Sequence, residues 1–129
     1  GRTLGQTFMD EGADIIMPVA GPVGQGTAAA VLERGNAWVV GVDDDWTQTV
    51  PQFADVILTS VLKKMNATTM EAIKMVMDGT FAGGFVVGTL ENTGVDISPI
   101  AAAAANDALT AELDEIRAGI VAGTIQTKP

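Results

Sequence analysis

The chain has 129 residues, with 7 Lys+Arg against 16 Asp+Glu for a formal charge of −9, and contains no Cys, His or Tyr. One domain is the ordinary content of such a length, and so acidic a chain lacks the electrostatic footprint of a nucleic-acid binder or of a protein drawn to an anionic membrane surface. Without Cys there is no disulfide framework, zinc ribbon, iron–sulfur cluster or cysteine nucleophile, and without His no Ser-His-Asp triad or imidazole metal site, so catalysis would rest on carboxylates, lysines or a cofactor.

From the amino end, Leu4, Phe8 and Met9 stand near helical spacing within residues 3–11, and Gly12 is placed for a left-handed cap. Residues 13–20 are a short β-rich run and predict a buried strand. Gly21-Pro22-Val23-Gly24-Gln25-Gly26 predicts a tight turn, after which Thr27 caps a helix over 28–34 that stops at Gly35. A second strand over 37–42 runs into Asp43-Asp44-Asp45, and a loop with Pro51 leads to a third over 55–60. Met70, Ile73, Val76 and Met77 recur at helical spacing over 67–77, and Gly79 ends that helix. A fourth strand is predicted over 85–90, an irregular stretch over 91–99, and an Ala-rich helix over 101–118 with Leu109, Leu113 and Ile116 on one face. Residues 119–129 hold a short Ile-Val segment and then fray.

Short apolar strands alternating with helices argue for βαβ units, hence an α/β fold with a parallel sheet flanked by helices. Apolar residues make up 47% of the chain and aromatics only 5%, so Val, Ile, Leu, Ala and Met must fill the core, Met70, Met75 and Met77 among them. No apolar run reaches the roughly 18–20 residues of a membrane span. The chain opens on Gly1 with no basic-then-apolar leader, which predicts a processed chain or an excised piece.

Three segments can carry chemistry. The turn with Gly21, Gly24 and Gly26 lies between a predicted strand and helix, where backbone N–H groups and the helix dipole favour an anion. Its glycine order is not that of a dinucleotide fold, and Thr27 stands where a triphosphate-binding loop needs Lys. It serves either as a plain connection or as a backbone cradle for some other ligand. Asp43-Asp44-Asp45-Trp46 ends the second predicted strand. An EF-hand reading fails, because Gln48 and Ala54 fall where Gly and Glu are required. The acids form either a solvated loop or a carboxylate able to accept hydrogen bonds from vicinal hydroxyls, with Trp46 as a flat apolar face nearby. Lys63-Lys64 follows the third predicted strand, and Lys is a point-charge donor able to reach a hydroxyl or carbonyl oxygen.

Taken in order, Glu11-Gly12-Ala13-Asp14-Ile15-Ile16, Ala20-Gly21-Pro22-Val23-Gly24-Gln25-Gly26, Val40-Gly41-Val42-Asp43-Asp44-Asp45, Leu58-Thr59-Ser60-Val61-Leu62-Lys63-Lys64, Gly79-Thr80-Phe81 and Gly94-Val95 resemble the basic membrane protein family of solute-binding lipoproteins of ABC transporters, which includes purine nucleoside receptors. The resemblance runs from about Gly5 to Gly123 and is to the C-terminal portion of the family's much longer members. It implies a type I periplasmic-binding-protein fold, two α/β lobes that close on a ligand about a hinge, with residues 1–129 as the C-terminal lobe.

It also implies a non-catalytic function without cofactor or bound metal. The ligand would be nucleoside-like, the partner a transporter permease, and the location extracytoplasmic, with a lipid anchor absent from this chain. By the same resemblance Asp43 binds ribose hydroxyls, Lys63 contacts the sugar, and the turn at Gly21 and Gly24 lies beside the ligand, with Trp46 near. Pro22 and Trp46 depart from the family's usual Gly and Gln, and Pro22 removes a backbone donor. The competing expectation is a Mg²⁺-dependent enzyme or regulator on a similar fold, using Asp43 or Asp45 on a phosphorylated small molecule.

Overall fold

A computed structural model describes residues 1–127 of the chain. Its elements are α1 (Arg2–Asp10), β1 (Ile15–Ile16), a 3-10 turn (Gly21–Val23), α2 (Gly24–Arg34), β2 (Trp38–Asp43), α3 (Trp46–Thr49), a second 3-10 turn (Pro51–Val56), β3 (Ile57–Lys63), α4 (Met65–Met77), β4 (Val95–Ile97) and α5 (Asp107–Val121). The strands lie in the order β1-β2-β3-β4. β1 pairs parallel to β2 with Ile15 opposite Trp38, and β2 parallel to β3 with Asp43 opposite Leu62. The α/β class with a parallel sheet and flanking helices is the one expected.

The chain divides into two compact units, Gly1–Leu62 with Ile97–Ala104, and Lys63–Asp96 with the described residues from Ala105 on. The first holds the core. Ile57, Val31 and Val39 are its largest fully buried apolar side chains, each worth about 1.5–3 kcal/mol on leaving water. α1 lies on α2 through Gly5, where a Cβ would stand 3.1 Å from Thr27 Cγ2, and through the buried Met9 one turn on. Arg2 pairs with Glu33, and Arg34 Nη1 donates to Asp10 Oδ1 at 2.5 Å.

Several boundaries differ from expectation. β1 is two residues long, because Pro18 has no N–H to continue the ladder. α2 begins at Gly24, three residues before the expected cap. Pro22 starts the preceding 3-10 turn at its first positions, and the helix follows directly. Thr27 is therefore inside the helix and buried, its Oγ1 donating to the Gly1 carbonyl at 3.2 Å. The stop at Gly35 is as expected, with φ 67° and its N–H bonded to Val31 O.

In the second unit, residues 85–90 form no strand. Phe85 is 100% exposed and Val87 66%. Thr89 and Asn92 bond each other instead, Thr89 N donating to Asn92 Oδ1 at 2.7 Å and Asn92 N to Thr89 Oγ1 at 3.2 Å. The strand lies at Val95–Ile97, within the stretch expected to be irregular. The Ala run 101–105 is likewise outside the helix. α5 starts after Asn106, whose side chain accepts from Leu109 N at 2.9 Å. α4 and α5 bury no residue fully, and Met70 and Met77 are exposed rather than core filler. Asp96 of β4 joins Arg117 at 2.5 Å and Lys64 at 3.9 Å, and the hydrogen bond to Arg117 raises that guanidinium's pKa. The expected fray over 119–129 falls partly on Lys128 and Pro129, outside the described residues.

Candidate functional site

A cavity of about 270 Å³ opens in the first unit at the carboxyl end of β2. Its lining comes from the 3-10 turn (Gly21, Pro22), the first turn of α2 (Gln25), the end of β2 (Val42, Asp43) and the segment running out of α3 (Trp46, Thr49, Val50). Ligands of parallel α/β sheets commonly sit beyond the carboxyl ends of the strands. The volume is at the small end for a ligand pocket.

Asp43 is the one ionisable side chain in that lining. Its backbone has φ +75°, one of two non-glycine residues in the left-handed region among those described. A non-glycine residue there is uncommon, although Asp tolerates it better than most. The turn out of β2 requires this conformation, and Oδ1 of the carboxylate is buried. The three acids separate in role. Asp44 Oδ1 accepts from Asp45 N at 2.8 Å. Asp45 caps α3, its Oδ1 accepting from Thr47 N at 3.0 Å and Thr47 Oγ1 at 2.8 Å. Among the described residues no three acidic groups are placed to hold a metal ion.

Trp46 is 8% exposed and forms a wall of the cavity. Its indole Nε1 donates to Val42 O at 3.0 Å, and its backbone N donates to Ser60 Oγ at 3.1 Å. The ring explains two glycines. A Cβ at Gly41 would stand 2.7 Å from Trp46 Cγ, and one at Gly24 would stand 2.8 Å from Cη2 and 3.1 Å from Pro18 Cγ.

Of the expected site residues, the structure brings Gly21, Asp43 and Trp46 to one cavity. Gly24 is buried under the Trp46 ring and is not in the lining. Lys63, the last residue of β3, is exposed and belongs to the second unit. Gln25, Thr49 and Val50 line the cavity without having been singled out. Gln25 carried a signal, since it stands inside the glycine turn. Thr49 and Val50 carried none, because only the short α3 and its exit bring them there.

A cavity at the carboxyl end of a parallel strand, with one carboxylate and an aromatic wall, lies where α/β proteins commonly receive small molecules. The chain belongs to the Bmp family, described as ABC transporter substrate-binding protein PnrA-like, whose pattern matches residues 1–128. It is 29% identical over 100 residues to uncharacterized lipoproteins of Pyrococcus abyssi (strain GE5 / Orsay) and Pyrococcus horikoshii, covering 74% of this chain and 24% of each of those. The chain therefore spans about a quarter of the length of the curated relatives it matches.

Among solved structures it resembles an ABC transporter solute-binding protein from Conexibacter woesei DSM 14684, with TM-score 0.75 and 22% identity over 98% of this chain and 41% of that one. A transcriptional activator of the comK gene from Bacillus halodurans matches with TM-score 0.83 and 14% identity, over 98% and 43%. An ABC transporter solute-binding protein from Aeropyrum pernix K1 matches with TM-score 0.62 and 26% identity, over 99% and 32%.

Proposed function

We propose that the chain is part of a two-lobed, extracytoplasmic solute-binding protein that delivers a nucleoside or similar sugar-containing solute to an ABC-transporter permease. The observation that carries this is the juxtaposition of Asp43, Gly21 and Trp46 around one cavity in a chain of the Bmp family. A carboxylate accepts hydrogen bonds from two vicinal hydroxyls, and an aromatic wall excludes water from a flat apolar group. Asp43 holds the sugar, and the backbone at Gly21 lies alongside. The lipoprotein relatives support attachment to the membrane through a lipid anchor. The reading assigns no catalytic step.

With a carboxylate and no basic residue in the lining, the cavity favours an uncharged solute over its phosphorylated form. Equilibrium dialysis of the longer protein containing this chain, against adenosine, inosine and their 5′-monophosphates without divalent metal, tests the reading. The nucleosides should be retained, recovered chemically unchanged and preferred at least tenfold over the monophosphates. Retention only with Mg²⁺ and consumption of the monophosphate would instead establish a phosphate-processing enzyme.

A further inference from the structure

The Trp46 wall of the cavity is held from behind by a buried chain of hydroxyls. Ser60 of β3 and Ser98, just after β4, are 0% and 2% exposed. Ser60 Oγ accepts from Trp46 N at 3.1 Å, Ser98 Oγ accepts from Ser60 N at 2.8 Å, and Thr59 Oγ1 donates to Ser98 O at 2.6 Å. Ser98 N closes the set by donating to Ser60 O at 2.8 Å. Trp46 is the first residue of α3, so its N–H is one of those a helix start leaves without an intrahelical partner. Asp45 satisfies the N–H of Thr47 but not that of Trp46, which turns to Ser60. Gly41 makes the room, since a Cβ there would stand 2.3 Å from Ser60 Oγ and 2.7 Å from the Trp46 ring.

We infer that Ser60 is a positioning residue for the cavity: its hydroxyl fixes the start of α3, and with it the Trp46 ring that a bound solute meets. The bond from Trp46 N to Ser60 Oγ and that from Nε1 to Val42 O hold it at both ends. Ser98 orients Ser60 in turn, and it stands two residues beyond the point where the chain passes from the second unit back to the first. The cavity wall is thereby tied by two hydrogen bonds to Ser98. The functional consequence rests on the cavity being the solute site; the geometry does not.

The test is Ser60→Ala in the 129-residue chain, with Trp38→Phe in both parent and variant so that Trp46 is the sole indole for emission. Amide exchange followed by NMR should quicken at least tenfold at Trp46 N–H. The backbone N–H at position 38, bonded to Asp14 O, and that of Gly35, bonded to Val31 O, should keep their rates. Trp46 emission should move to the red and become easier to quench with acrylamide. Unchanged exchange and emission would overturn the inference. Equal quickening at all three amides would overturn it too, because that is general loosening. Should Ser60→Ala fail to fold, Ser98→Ala removes only the outer step, and a selective rise at Trp46 N–H, smaller in size, is expected; no rise contradicts the inference. Adenosine affinity of the longer protein should fall at least fivefold in Ser60→Ala. If the parent binds no adenosine, the solute reading fails while exchange and emission still decide the positioning role.

Discussion

Asp43 combines a left-handed backbone, which is a cost to the fold, with a carboxylate that lines a small cavity. Such conformations cost on the order of 1 kcal/mol or more and persist where the surroundings impose them. Asp43→Gly removes that backbone cost together with the side chain, and should leave the unfolding free energy in urea within about 1 kcal/mol of the parent while abolishing solute binding. A large loss of stability instead would make Asp43 a structural residue. The position of Asp43 at a cavity was legible, because the end of the Val-Gly-Val run puts its carboxylate at the carboxyl end of a strand. Its backbone conformation was not, since a positive φ at Asp leaves no mark in the sequence. Gly24 is a different case. Its place in a glycine-rich turn suggested contact with a ligand, whereas the Trp46 ring and Pro18 require its missing side chain.

Among elements, α3 is the one on which the cavity most depends, and its four residues are too few to hold themselves. Asp45 caps it, so Asp45→Ala should lower stability by about 1 kcal/mol by chemical denaturation, as loss of an N-cap does. Asp44→Ala, which loses one local bond at an exposed site, should change stability by less than about 0.5 kcal/mol. Equal effects of the two would contradict this division of the acidic triplet.

Where α1 meets α2, the hydrogen bond from Arg2 is the foremost cause that holds the exposed Glu33 carboxyl below the ordinary glutamate value of 4.5. Because the folded value is the lower one, the small stabilisation is complete above that ordinary value and disappears as pH falls through the folded one. NMR titration should place the Glu33 midpoint below that of an unpaired glutamate, and Arg2→Ala should bring it back up. Strand and helix type were readable from periodicity for α1, α2, β2 and β3. The segment 85–90 was not, because an apolar, β-branched run reads as a strand whether or not a neighbouring strand is present to pair with it.

For the molecule as a whole, the uneven burial of the two units is the main fact. The first unit holds all of the buried apolar cluster. The second leaves Met77 79%, Phe81 60% and Phe85 100% exposed. Exposed apolar side chains gathered in this way commonly mark an interaction face. Brief digestion of the 129-residue chain with chymotrypsin should cut first at Phe81 or Phe85 and spare Trp46; early cleavage at Trp46 would contradict the burial described. The expectation of one lobe came from length and resemblance, and neither records how contacts divide along a chain. Only the folded backbone reveals that β3 and β4 each pass from one unit to the other.

The central claim is that Asp43 receives the hydroxyls of a solute. Calorimetric titration of adenosine into the longer protein, as parent and as Asp43→Asn, tests it most directly, because Asn keeps the size, tolerates the left-handed backbone, removes the charge and turns one acceptor oxygen into an NH2 donor. The account predicts a dissociation constant at least tenfold weaker in Asp43→Asn, about 1.4 kcal/mol. An unchanged dissociation constant would remove Asp43 from the site and contradict the account.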